Sequence, residues 1–403
     1  MKRLSGLLQQ PYRPFFLAGA LYAFVTLAFW FVWRETLRAG FALAVPWTVA
    51  PARAHAVVMI WGVLTFYVFG FLLTAYVRWV AASEPPKAAL VGWFAALVVG
   101  QLLFVSGALS AGSLLVPGAL VTAVAQISLV VFLGRALLRS NTPERLQPCV
   151  VLIALCLSVV GLLLSAVGLT RDGSGLYVPG LLLGLYGYLL LMITAVGHRL
   201  IPFFTVRVLG GNQGRRWGWT LPLVLALLAF RIVVFFMPVT EGVLRAGAGI
   251  DAGLFLVLAR DVTSWQPRRA LRNPMILVLY VAIFWVLLAL GASAFSLLQP
   301  GGPLRVDPLV LHALTVGGFS TLVLGISTRV ALGHAGRPIV ADGWILLAFG
   351  MIFVAALVRA VAPLLGGAAP QFVHWAAIPW CLAFGIWLLR IGPLLFEVRV
   401  NRS

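Results

Sequence analysis

The chain has 403 residues, of which 62% are hydrophobic and only 10% charged. A soluble domain carries about 45–50% apolar and about 25% charged residues, so a soluble enzyme, a disordered chain and a coiled coil are all excluded. With a mean hydropathy of +1.06, held in unbroken apolar runs rather than alternating ones, the sequence reads as an all-α, polytopic membrane helix bundle and not a membrane barrel.

A spanning helix needs about 20 apolar residues. About twelve such runs follow one another: 15–33, 54–77, 88–109, 114–138, 148–169, 178–200, 217–238, 242–260, 273–298, 308–331, 341–364 and 371–392. Proline and glycine mark the joins, as at Pro85-Pro86, Pro267 and Gly336-Arg337-Pro338. The first run follows Lys2, Arg3 and Arg13 and lacks a small-residue cleavage site, so it reads as a retained signal-anchor. No loop is long enough for a soluble domain, and residues 1–403 are expected to form a single transmembrane domain.

Basic residues outnumber acidic ones 29 to 10, for a net charge of +19. In a soluble protein this would suggest nucleic acid; here it tests the topology. With both termini on one side, 21 basic residues fall on that side and 6 on the other, and Arg231 and Arg359 lie within spans. The asymmetry predicts cytoplasmic termini, with the bilayer and its anionic headgroups as partners and no nucleic acid.

Ionisable groups inside a membrane are costly, so each is a functional candidate. Asp251 is the one acid placed well inside a span, and Arg231 the one embedded base; a pair between spans 7 and 8 would neutralise both, and an anion contact is the other reading. Asp261, Asp307 and Asp342 read as loop or boundary residues. Cys149, Cys156 and Cys381 lie in apolar runs and read as buried free thiols.

Five histidines remain. His55, His312 and His374 begin spans 2, 10 and 12 and so share one membrane face; His198 closes span 6 and His334 follows span 10 on the opposite face. Imidazoles at one depth on several helices are what a haem or metal site in a bundle requires. Met59 lies four residues after His55 and so shares its helical face, which would suit haem iron or Cu(I). An interfacial polar role is the alternative for each histidine.

Several strings carry a resemblance. They are Tyr12-Arg13-Pro14-Phe15-Phe16-Leu17, Gly70-Phe71-Leu72-Leu73-Thr74-Ala75, Arg199-Leu200-Ile201-Pro202-Phe203-Phe204-Thr205, and His312-Ala313-Leu314-Thr315-Val316-Gly317-Gly318 continuing to Gly333-His334-Ala335-Gly336-Arg337-Pro338. In order and spacing the chain resembles the NnrS family from about residue 11 to 395. The resemblance implies a twelve-span protein of the bacterial inner membrane, linked to nitric oxide stress and denitrification, containing haem b and copper. It implies haem contacts at His55, His312, His334 and Arg329, metal ligation at His55 and His312, and nitric oxide and respiratory or denitrification proteins as partners. Many members carry Trp-His-Ala-His-Glu-Met before span 2, where this chain has Ala52-Arg53-Ala54-His55-Ala56-Val57; the missing histidine and carboxylate weigh against the copper expectation. A transporter or haem- or metal-handling permease without redox turnover is the alternative reading, and an assembly partner of a respiratory complex a third.

Overall fold

The computed structural model describes residues 6–41, 45–171, 174–211, 217–299 and 307–397. Lys2, Arg3, Arg215, Arg216, Arg305, Arg399 and Arg402, all used in the charge asymmetry, lie outside the described residues.

Among the described residues there are helices and no strands. Eleven helices are long and apolar enough to cross a membrane: α1 (Tyr12–Arg38), α2 (Pro51–Trp79), α3 (Lys87–Leu109), α4 (Gly112–Arg139), α5 (Leu146–Thr170), α6 (Tyr177–Leu209), α8 (Glu241–Ser264), α9 (Pro274–Leu298), α10 (Pro308–His334), α11 (Gly343–Gly366) and α12 (Gln371–Arg390). The seventh, α7 (Thr220–Phe235), is apolar but only 16 residues long. At 1.5 Å per residue it spans about 24 Å, short of a hydrocarbon core of about 30 Å. The chain is therefore a multi-pass, all-α membrane protein.

The helix starts follow local chemistry. Thr240, Asn273, Asp307 and Asp342 each accept a hydrogen bond from a backbone N–H in the first turn of α8, α9, α10 and α11, and Pro274 and Pro308 stand just inside, where a missing N–H costs nothing. The expectation that Asp307 and Asp342 are boundary residues holds. The expected end of the sixth span does not: α6 runs through Pro202 to Leu209. Proline removes one N–H but fits within a helix whose flanking turns are packed. The helix stops at Gly210, whose φ of +67° suits glycine, and Arg269 caps it by donating to the carbonyls of Leu209 and Gly210, both at 2.8 Å.

Three of the spans widen into π-helix along part of their length. Val58–Leu64 in α2, Leu183–Leu190 in α6 and Ala313–Ser320 in α10 are π-helical, and these are the three most buried spans. Two compact units can be described. The first comprises residues up to Gly184 with Ser327–Ile339 and the segment from Phe384; the second comprises Leu185–Ile326 and Val340–Ala383.

The cysteine expectation is corrected. Cys149 and Cys156 share a face of α5, as their spacing requires, but both are exposed, and Cys381 is half-buried. In a membrane protein an apolar run need not face protein, because lipid is as apolar as leucine.

Candidate functional site

In the first unit α1, α2 and α3 enclose a cleft of about 650 Å3. Its walls are apolar and aromatic, with Tyr22, Phe29 and Trp30 from α1, Ala54, His55 and Phe66 from α2, and Phe94 and Leu102 from α3. Trp47, from the segment before α2, completes it. That segment is fastened to the end of α3: Thr48 donates from Oγ1 to the Gly107 carbonyl at 2.6 Å and from its backbone N–H to the Ala108 carbonyl at 3.0 Å.

His55 is half-buried in this cleft. Its ring lies 5.0 Å from that of Trp30, inclined by 30°. Trp30, Trp33 and Trp47 form a cluster with centroids 5.1–6.3 Å apart. The indole Nε1 of Trp47 is buried with no hydrogen-bond partner. Buried indole N–H groups nearly always find an acceptor, so this donor marks a place where a ligand oxygen would be welcome.

The inner wall of the cleft is polar and tightly built. Tyr22 donates to Gln101 Oε1 at 3.3 Å, and Gln101 Nε2 donates to the Trp61 carbonyl at 3.2 Å and to Thr122 Oγ1 at 3.4 Å. Trp61 is held from the other side, its Nε1 donating to the carbonyl and hydroxyl of Ser158 at 3.0 and 3.1 Å. Gly62 permits the approach: a Cβ there would lie 2.5 Å from the Tyr22 ring and 2.6 Å from Gln101 Oε1.

Met59 is not among the residues lining the cleft, although His55 is. The π-helical stretch begins at Val58, and its wider turn breaks the four-residue register that would align the two side chains.

At the far end of α1, the first unit holds a second cluster. The Tyr12 and His334 rings lie 5.0 Å apart. The buried Arg13 donates from Nη1 to the carbonyls of Gly6 and Glu397, both at 2.7 Å, and Arg337 donates to Glu397 Oε1 at 3.0 Å. Arg329 is buried five residues before His334 on α10. Two of the strings quoted above thus meet here and fasten the C-terminal segment. Tyr12 and Trp30 are 18 residues apart on one helix, so the His334 and His55 ends are separated by about 27 Å. They form two sites, not one.

His312 and His374 belong to the second unit. His312 donates from Nδ1 to the Pro308 carbonyl at 2.7 Å. This fixes the tautomer in which Nε2 carries the lone pair, as a metal-ligating histidine needs. His374 is buried. Among the described residues no three His, Cys, Asp or Glu side chains converge as a metal site.

The second unit also holds the expected Arg231–Asp251 pair. The contact is bidentate, at 2.9 and 3.0 Å, with Ser293 donating to the same carboxylate at 2.7 Å. The guanidinium lies 4.5 Å from the Phe235 ring and 5.5 Å from that of Tyr186. A further polar cluster corrects the sequence reading of two residues. Asp261 is not a loop residue; it is buried in α8, where Thr220 donates to it at 3.2 Å. His198 does not close its span; it is buried inside α6, with Nε2 3.5 Å from Asp261 Oδ2 and its ring edge-on to Trp265. The apolar runs end at 200 and 260, which makes both look like boundary residues.

Fold and geometry therefore define a polytopic α-helical membrane protein with an aromatic, histidine-bearing cleft. Compared with known families, the chain matches the NnrS protein family over residues 6–399, and it belongs to that family. No curated protein matches it.

Proposed function

We propose that this protein is a haem-binding protein of the bacterial inner membrane that acts in the response to nitric oxide or in denitrification, with His55 as an iron ligand. The observation that carries the reading is the placement of His55 in the wall of a large, aromatic, apolar cleft. A volume of about 650 Å3 falls within the 300–1,000 Å3 usual for cofactor sites, which are mostly apolar with few polar groups.

The side chains present fit the group. His55 supplies the imidazole, and its contact with Trp30 fixes the ring plane. Phe29, Phe66 and Phe94 supply apolar walls for a macrocycle. Trp47 Nε1 is a buried donor for a carboxylate, and Arg34 follows Trp30 by one turn of α1 as a countercharge. Bound haem would supply an iron centre that binds nitric oxide and exchanges one electron. His312, in the second unit, is a separate candidate for metal ligation, because its tautomer is already set. A haem on His55 does not extend to the His334 end of α1, so we assign His334 and Arg329 to a separate role, ordering the end of α10. Copper lacks a comparable donor set: no three ligating side chains converge among the described residues. The basic-residue asymmetry supports cytoplasmic termini.

The test is an absorption spectrum with and without nitric oxide. Wild-type protein expressed with ample haem is expected to show a Soret band that shifts on adding nitric oxide. His55→Ala is expected to lose or displace it; His312→Ala tests the separate candidate in the second unit. Unchanged spectra in both variants would remove the ligand assignment, and a wild-type protein without a Soret band would remove the haem reading.

A further inference from the structure

The cleft opens sideways, at the middle of the spans. Leu21, Val25 and Leu102 line it, yet 52%, 50% and 63% of their surfaces are exposed. A residue that both lines a cavity and faces outward stands at its opening. The deeper lining is closed: Ala54, Phe66 and Gln101 are buried. Val25 is the middle residue of α1, so the opening lies at the depth of the hydrocarbon core rather than at a headgroup surface.

Among the described residues no Asp, Glu, Lys or Arg side chain lines the cleft. An ion entering at mid-span, beside Val25 and Leu102, would lose its hydration with no countercharge at the opening, which is expensive. A small neutral molecule dissolved in the bilayer would meet no such barrier. The polar groups that line it are Tyr22 with Gln101 on the inner wall, Thr26, the indole N–H of Trp47, and His55, the proposed iron ligand.

We propose that the cleft is entered from the bilayer, between α1 and α3, by a small neutral lipid-soluble ligand, and that it excludes anions such as nitrite or azide. Nitric oxide is such a molecule, and to that extent the inference rests on the haem reading above. Delivery through the membrane would concentrate the ligand at the site and leave charged nitrogen oxides outside it. Val25 and Leu102 stand on different helices, so the opening can be obstructed from both walls.

The test uses purified protein in vesicles, with dissolved nitric oxide and azide as probes. The rate of nitric oxide binding, followed at the Soret band, is expected to fall about tenfold in Val25→Phe/Leu102→Phe, equivalent to about 1.4 kcal/mol of added barrier. Leu138→Phe, a control on an exposed face of α4 away from the cleft, should leave the rate unchanged. Azide should bind far more slowly than nitric oxide in all three proteins. A double variant as fast as wild type, or azide binding as readily as nitric oxide, overturns the route.

The two readings fail separately. If no Soret band is found, the haem reading falls and the cleft is probed alone. The fluorescence of Trp30 and Trp47, taken as wild type minus Trp30→Phe/Trp47→Phe, should then be quenched by a nitroxide carried mid-chain on a phospholipid and not by aqueous iodide. Stronger quenching by iodide would mean that the cleft opens to water, and the proposal would fall.

Discussion

Two polar clusters, one in each unit, hold their embedded groups in different ways. In the second unit Arg231, Asp251 and Ser293 satisfy one another in bidentate, short contacts, and the guanidinium is flanked by two aromatic rings. In the first, Trp47 Nε1 has no acceptor and His55 faces a cleft. A closed network is an internal fastening, whereas a donor without an acceptor beside a void, as at Trp47 Nε1, keeps its hydrogen-bonding capacity for a ligand. This contrast is what supports placing the proposed ligand in the first unit.

The sharpest way to break this contrast is to open the closed network. Arg231→Ala would leave a buried carboxylate unpaired and should cost about 3–5 kcal/mol, whereas Arg231→Met/Asp251→Leu should cost much less because no charge is stranded. Thermal denaturation in detergent measures both, and equal losses would show that the charge is not what matters.

A smaller effect is expected at the cleft wall. Gly62→Ala places a methyl against Tyr22 and Gln101, and overpacking of this kind typically costs about 1–3 kcal/mol. It should also diminish the Soret band, which separates it from a purely structural lesion. Retention of full cofactor binding would argue that the Tyr22–Gln101 wall does not shape the site.

The smallest effect compares two indoles. Trp61 Nε1 is hydrogen-bonded to Ser158 and Trp47 Nε1 is not. Trp61→Phe should therefore exceed Trp47→Phe in its stability cost by about 1 kcal/mol or more, while only Trp47→Phe should alter ligand binding. The reverse pattern in equilibrium unfolding and binding titrations would mean that the unpaired N–H is incidental.

Much of the fold was legible because lipid imposes it: length, apolarity and punctuation located the helices, and the Arg231–Asp251 pair followed from the cost of a lone buried charge. The end of α6 was not legible, because Pro202 reads as a stop while a packed span tolerates it. Nor was the burial of Asp261 and His198, since each looks like a boundary residue until helix lengths are known. Among the site residues His55 could be selected from its position on α2, but Trp47, Tyr22 and Gln101 could not. Their roles depend on how three helices are rotated about their axes, and in lipid-facing helices apolar side chains point both inward and outward, so hydropathy carries little rotational information.

The π-helical stretch in α2 has a consequence for that rotation. Each residue of an α-helix turns the chain by about 100°, and Val58–Leu64 widens the turn between His55 and the part of α2 where Tyr67 and Phe69 pack against Phe16 and Phe15. The two ends of one rod are thereby set out of phase. Deleting a single residue in the α-wound part that follows the stretch would turn the imidazole by about 100° away from its cleft, with every functional side chain still in the chain, whereas a deletion inside the stretch would be absorbed as the wide turn tightens. The heading of His55 is thus written in a residue count, a kind of information that substituting side chains one at a time would not find.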